Sequence, residues 1–196
     1  MKKITVALVF LLCVLNMAMA FDNKRSGFII GGLGGVALVN WNQSIDGIQS
    51  ESMNDFAVHL DLRLGGGFQG DKFMLYYWQM MNFLSMTNWL GIDVAMISSN
   101  GGAGLTYYFL PTSPSFYVNA GVGASIWAAA SDDPSDYWYG LGLMGGVGYE
   151  FSRHWSMELG IMWGNPSIEA IDFSFNSHKL QTNALAVSLS LIGIAY

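Results

Sequence analysis

The sequence predicts an all-β fold: an eight-stranded antiparallel up-and-down barrel that crosses a membrane on its strands. Three observations predict it. The 196 residues are 52% apolar but only 11% charged, with a mean hydropathy of +0.35. A soluble surface takes roughly a quarter to a third charged side chains. Beyond residue 20 there is no run of the ~20 apolar residues that a membrane helix needs. Apolar residues instead recur at alternate positions, the period of a strand. An aromatic content of 14% with only 4 prolines excludes a disordered chain.

Residues 1–20 read as a cleaved signal peptide. Lys2 and Lys3 precede an apolar stretch from Ile4 to Leu15, and Ala18-Met19-Ala20 supplies small-x-small cleavage chemistry before Phe21. Cys13 follows Phe10, Leu11 and Leu12 rather than small residues, which argues against a lipoprotein anchor. The barrel domain is then 21–196. It has no cysteine, so an exported chain uses neither disulfides nor thiolate metal sites. It carries 6 basic against 14 acidic residues, a net charge of −8.

The first strand is expected at about 26–40. Residues 27–39 are uncharged and apolar, but the run has only 13 residues, five of them Gly, too short and too costly for a membrane helix. In the second, 55–69, Phe56, Val58, Leu60, Leu62, Leu64 and Phe68 alternate with Ala57, His59, Asp61, Arg63, Gly65 and Gly67. The third, 72–85, is apolar on both faces, so alternation leaves its phase open. The fourth, 100–110, sets Leu105, Tyr107 and Phe109 against Gly104, Thr106 and Tyr108. The fifth, 115–128, sets Phe116, Val118 and Val122 against Tyr117, Asn119 and Gly121. The sixth, 137–152, alternates Leu141, Leu143, Val147 and Tyr149 with Gly140, Gly142, Gly146 and Gly148. The seventh, 154–165, alternates Trp155, Met157, Leu159 and Ile161 with Ser156, Glu158 and Gly160. In the eighth, 180–196, Leu185, Val187, Leu189 and Leu191 share one phase. Ile192, Ile194 and Tyr196 take the other, which suggests a bulge near 191–192.

Short connections at 69–72, 111–114 and 152–154 alternate with long ones at 41–54, 86–99, 129–136 and 166–179. Short turns on one side and long loops on the other, with an even strand number, describe an outer-membrane barrel with both termini on the periplasmic side. A secreted barrel with the same alternation would need a soluble polar face. Here that face is mostly Gly, Ser, Ala, Tyr and Asn, which suits a narrow lumen where small residues admit large ones. Aromatics near strand ends, among them Phe56, Phe68, Phe116, Tyr149, Phe151, Trp155 and Trp163, suit headgroup girdles.

Gly146-Val147-Gly148-Tyr149-Glu150-Phe151 followed by Ser152-Arg153-His154-Trp155-Ser156 resembles the penultimate hairpin of small bacterial outer-membrane barrels. These include the opacity-type proteins, the OmpA transmembrane domain and OmpX. The resemblance implies residence in the outer membrane among its lipids and lipopolysaccharide. It also implies an assembly signal in Ile192, Ile194 and Tyr196, read by the barrel assembly machinery.

Lumen and loops are left to carry function. Asp61, Arg63, Glu150 and Glu158 are the clear strand charges and, with His59 on the same face as Asp61, are expected to meet in the lumen as an ion-pair cluster. The outer loops are acidic, with Asp46, Glu51, Asp132, Asp133, Asp136, Glu169 and Asp172. The run Ser131–Asp136 lacks the spaced ligand series and Gly of a calcium loop, so it reads as a solvated turn and no metal or cofactor is expected. No basic patch suits nucleic acid. The expected role is structural or surface interaction through these loops, by a monomer without enzymatic activity. Two alternatives remain open. Apolar loop residues such as Trp89, Ile92, Phe173 and Phe175 would suit a narrow channel for small hydrophobic molecules, as in OmpW-like barrels. His154-Trp155-Ser156 with Glu158 has a spacing superficially like that of lipid A deacylases, although this topology puts it on the wrong side of the membrane.

Overall fold

The computed structural model describes residues 25–68, 70–87, 93–129, 137–171 and 177–196. The signal-peptide segment, the acidic residues Asp132, Asp133, Asp136 and Asp172, and the apolar Trp89, Ile92, Phe173 and Phe175 lie outside them. The described strands are β1 (Gly27–Ile45), β2 (Ile48–Gln49), β3 (Met53–Phe68), β4 (Phe73–Thr87), β5 (Asp93–Tyr108), β6 (Ser115–Ala129), β7 (Tyr137–Ser152), β8 (Trp155–Ile171) and β9 (Ser177–Ala195). β2 is a two-residue return that pairs only with the top of β1. The other eight form the barrel, each antiparallel to its neighbours. The ring closes where β1 pairs with β9, from Ile30↔Ala195 to Ile45↔Leu180.

The register sets the geometry of the ring. One row of partners runs Trp155, Gly193, Gly32, Leu62, Gln79, Gly101, Ala124, Leu141 and back to β8 at Asn165. One circuit therefore climbs ten residues, from 155 to 165. Eight strands with that stagger tilt by about 40° and enclose a space that side chains can fill.

Alternation then sorts the side chains. Phe56, Val58, Leu60, Leu62 and Leu64 of β3 are exposed on the outer wall, while Ala57, His59, Asp61 and Arg63 are buried in the lumen. The phase of β4 is now defined: Met74, Tyr76, Trp78, Met80, Asn82 and Leu84 point inward. Aromatic side chains ring the periplasmic end of the outer wall, with Phe73 against Phe68 and Tyr107, and Phe116 against Tyr149.

Three expectations need correction. The strands run higher than predicted: β1 extends to Ile45, β5 starts at Asp93, β8 reaches Ile171 and β9 starts at Ser177. Much of what reads as loop is barrel wall, because backbone groups there keep pairing above the span. The bulge expected near 191–192 is absent. β9 stays in register through Trp155↔Gly193, and the irregularity sits instead between Glu150 and Ser152. Ile192, Ile194 and Tyr196 therefore face the lumen and are buried, at 0%, 5% and 5% exposure, rather than the lipid. The lumen is also less uniformly polar than its small-residue face implies. Trp41, Trp78, Trp127, Met80, Met144 and Met162 are buried there.

Glycine makes room for these large groups. A Cβ on Gly148 would collide with the phenol end of Tyr117, whereas at Gly145 the nearest atom would stand 3.5 Å away. Gly148→Val is therefore expected to abolish the compact, heat-modifiable band in electrophoresis, and Gly145→Ala to retain it. A folded Gly148→Val band would contradict this packing.

Candidate functional site

The lumen holds two polar assemblies, one central and one at the periplasmic end, with a His59–Asn82 pair above them. The central one begins with Asp61 and Arg63, two residues apart on β3 and so on one face. Arg63 Nε donates to Asp61 Oδ1 at 2.8 Å, and Nη2 donates to Asp61 Oδ2 at 3.0 Å and to Glu158 Oε1 at 2.7 Å. Trp78 Nε1 donates to Asp61 Oδ2 at 2.8 Å. Asn119 Nδ2 lies 2.8 Å from Glu158 Oε2, as does Tyr117 Oη, which is also 3.1 Å from Ser156 Oγ. The guanidinium covers the Trp78 ring at 4.7 Å and the Tyr76 ring at 5.5 Å.

This network joins β3, β4, β6 and β8 across the lumen. One cation faces two carboxylates, and the neutral donors of Trp78, Tyr117 and Asn119 spread the excess negative charge. These bonds satisfy the carboxylate oxygens, as a buried ion pair requires, while Arg63 Nη1 and Asn119 Oδ1 have no hydrogen-bond partner among the described residues.

The expected five-residue cluster is divided. Asp61, Arg63 and Glu158 meet. His59 does not join them; its Nδ1 is 2.8 Å from Asn82 Oδ1, higher in the lumen. Glu150 belongs to a second assembly at the periplasmic end, because it lies four inward steps below Gly142 on β7 and next to the turns. There it pairs with Arg25 and accepts from Tyr196 Oη at 3.0 Å and from Ser113 Oγ. Arg25 Nη1 also donates to the Leu110 carbonyl at 2.6 Å and the Asp71 carbonyl at 3.2 Å. Its guanidinium stacks 3.9 Å over the Tyr108 ring. One carboxylate thus gathers a residue just before β1 and the residue just after β9.

Above the central network, Met80, Met144 and Met162 lead to an aromatic layer. Trp41 and Trp127 meet across the lumen with centroids 5.8 Å apart, and Trp41 Nε1 donates to Asp55 Oδ2 at 2.6 Å. At the extracellular rim, Asp46 Oδ2 is 2.6 Å from His178 Nδ1, and Asp46 Oδ1 accepts from the Lys179 backbone N–H at 2.9 Å. These bonds, the His178 one foremost, hold the Asp46 carboxyl below its ordinary value of 3.8. Asp46, Glu51 and Glu169 are exposed; Asp46 and Glu51 lie in the connections flanking β2, whereas Glu169, expected in a loop, lies on β8 and faces Lys179 across the strand pair. Among the described residues no three His, Cys, Asp or Glu side chains converge as metal ligands.

The His154, Ser156 and Glu158 spacing does not produce a hydrolase arrangement. His154 sits in the β7–β8 turn, its Nδ1 2.9 Å from the Ile194 carbonyl and its ring against Tyr196. Ser156 is buried in the lumen beside Tyr117. Imidazole and hydroxyl are thus directed to different partners.

Sequence reasoning missed Arg25, Trp78 and Asn82 as members of these assemblies. Tyr117 and Asn119 carried a usable signal: they stand two apart on the lumen phase of a strand. Arg25 carried none, since it precedes the first alternating run.

No family model matches the chain, and no curated protein matches it in sequence. Solved structures do match. The outer membrane protein OprG from Pseudomonas aeruginosa superposes with a TM-score of 0.52 at 16% identity, over 88% of this chain and 97% of that one. The chain has the fold of the small outer-membrane β-barrels. The outer membrane protein AlkL, determined by solid-state NMR in lipid bilayers, matches this barrel with a TM-score of 0.50 at 11% identity, over 89% of this chain and 92% of that one. Neisserial surface protein A matches it with a TM-score of 0.42 at 16% identity, over 84% of this chain and 97% of that one.

Two outcomes follow for the barrel. Arg63→Ala strands two buried carboxylates and is expected to lower unfolding stability in bilayers by about 3–5 kcal/mol, read from urea titrations. Glu158→Gln, which keeps the shape, should cost less. At the rim, the depressed Asp46 carboxyl contributes stability that is fully present above pH 3.8 and is lost as pH falls through its lower folded value. Amide-exchange protection at Lys179 should fall with it, and Asp46→Asn should remove that pH dependence.

Proposed function

We propose that this barrel has no open path through its lumen and acts at its extracellular end, as a structural or surface-interaction protein of the outer membrane. The observation that carries this reading is continuous filling. From Arg25 through Glu150, Tyr117, Arg63, Trp78 and Met80 up to Trp127, the inward side chains are buried. A solute would have to break the Arg63 ion pairs to pass. The role is non-enzymatic in this reading, since Ser156 is sealed and His154 is bonded elsewhere.

The acidic rim then supplies the chemistry. Asp46, Glu51 and Glu169, together with Asp132, Asp133, Asp136 and Asp172, would attract cationic partners and would need divalent cations beside anionic lipopolysaccharide. The partner would be a basic protein segment or polyamine rather than nucleic acid.

One observation favours a second reading, a route for small hydrophobic molecules. The upper lumen above the ion network is lined by Trp41, Trp127, Leu84, Met80 and Met162, and unbranched methionines repack readily.

Reconstitution into liposomes separates the two. The proposed function predicts no unit conductance, no uptake of a hydrophobic dye, and binding of a polylysine probe that weakens with salt. Replacing Asp132, Asp133 and Asp136 with Asn should slow that association by about tenfold. Dye uptake without polylysine binding would favour the hydrophobic route and overturn the first reading.

A further inference from the structure

The outer wall carries a polar site in the middle of the membrane. Tyr77 Oη donates to Gln79 Oε1, and Gln79 Nε2 donates to Ser99 Oγ. These residues lie on the outward phase of β4 and β5, shared with Leu75 and Leu105. The register row fixes their depth. Gln79 is four steps up from Trp155, in the periplasmic girdle, and four steps down from Asn165 on the same strand. The outward residues of that row between Trp155 and Asn165 are otherwise Gly, Ala and Leu.

The wall is shaped around this group. A Cβ on Gly101 would collide with Gln79 Oε1 and stand 2.7 Å from Tyr77 Oη, so the glycine lets the side chains lie flat. Directly below, small residues leave two adjoining shallow recesses that are open on the outer wall. Leu75, Tyr77, Ala103, Leu105, Ala120 and Val122 line them.

A primary amide has two donor hydrogens and two acceptor lone pairs. Within the trio Gln79 uses one of each, leaving one N–H and one lone pair unused by it. Acyl chains offer neither, and polar groups left unpaired in lipid are costly. The missing partner must supply a donor and an acceptor together, at this depth, above an apolar ridge that fits the recesses.

We propose that the partner is a second copy of this chain, packed about a two-fold axis along the membrane normal. Two copies inserted in the same direction bring their Gln79 amides to equal depth, and each amide supplies what the other lacks. Leu75, Leu105 and Val122 of each copy border the recess of the other. The barrel is then a dimer in the membrane, in contrast to the monomer expected from sequence.

The chain's single cysteine, Cys13, permits a direct test after Cys13→Ser. Ala103→Cys, in the recess, and Leu189→Cys, on the remote β9 wall, are each oxidised in native outer membranes. Only heat-modifiable, folded protein is scored. A disulfide-linked dimer is expected at position 103 and not at position 189. Adding Gln79→Leu should lower the 103-linked fraction by about tenfold, the combined effect of two reciprocal amide bonds in a bilayer. Absence of the 103-linked dimer, equal linking at both positions, or an unchanged fraction with Gln79→Leu would each overturn the proposal.

Discussion

In hydrocarbon every backbone N–H and C=O must find a partner within the protein, and for strands this means a ring without edges. The pairing of β1 with β9 meets that demand. Almost everything else follows from closing the ring at eight strands with a ten-residue climb per circuit. That combination gives an interior that side chains can fill, but that small side chains alone would not. Gly148 opposite Tyr117, and Gly142 opposite Asn100, are local answers to one spatial requirement.

The filling is layered. Glu150 gathers Arg25 and Tyr196 at the periplasmic end. Arg63 joins Asp61 and Glu158 above it. Methionines and the Trp41–Trp127 contact occupy the upper lumen, where strand pairing continues beyond the span. A charged centre inside a membrane protein is sustained because its counter-charges and neutral donors come from different strands, which only the closed ring brings together.

Much of this was legible in the sequence for physical reasons. Period-two alternation is enforced wherever one face meets lipid, so β3, β6, β7 and most of β9 could be read directly. Asp61 and Arg63 announced their contact because they share a face at the closest spacing a strand allows. The β4 segment resisted, since Trp78 and Met80 fill the lumen with residues as apolar as the lipid face. Ile192 and Ile194 misled for the same reason: an apolar residue facing a packed lumen looks like one facing lipid. Glu150 shared a phase with the central cluster but not a height. Height depends on register around the ring, which no single strand encodes. Arg25 had no periodic context at all.

The Arg63 network has a mechanical consequence. It ties β3 to β8 across the lumen through a hydrogen-bonded strut, to which Trp78 of β4 and Tyr117 of β6 add further bonds. A hollow tube flattens under lateral pressure, but a braced one keeps a round cross-section. The wall therefore presents the bilayer with a contour of fixed shape, and the surrounding acyl chains must bend to match it.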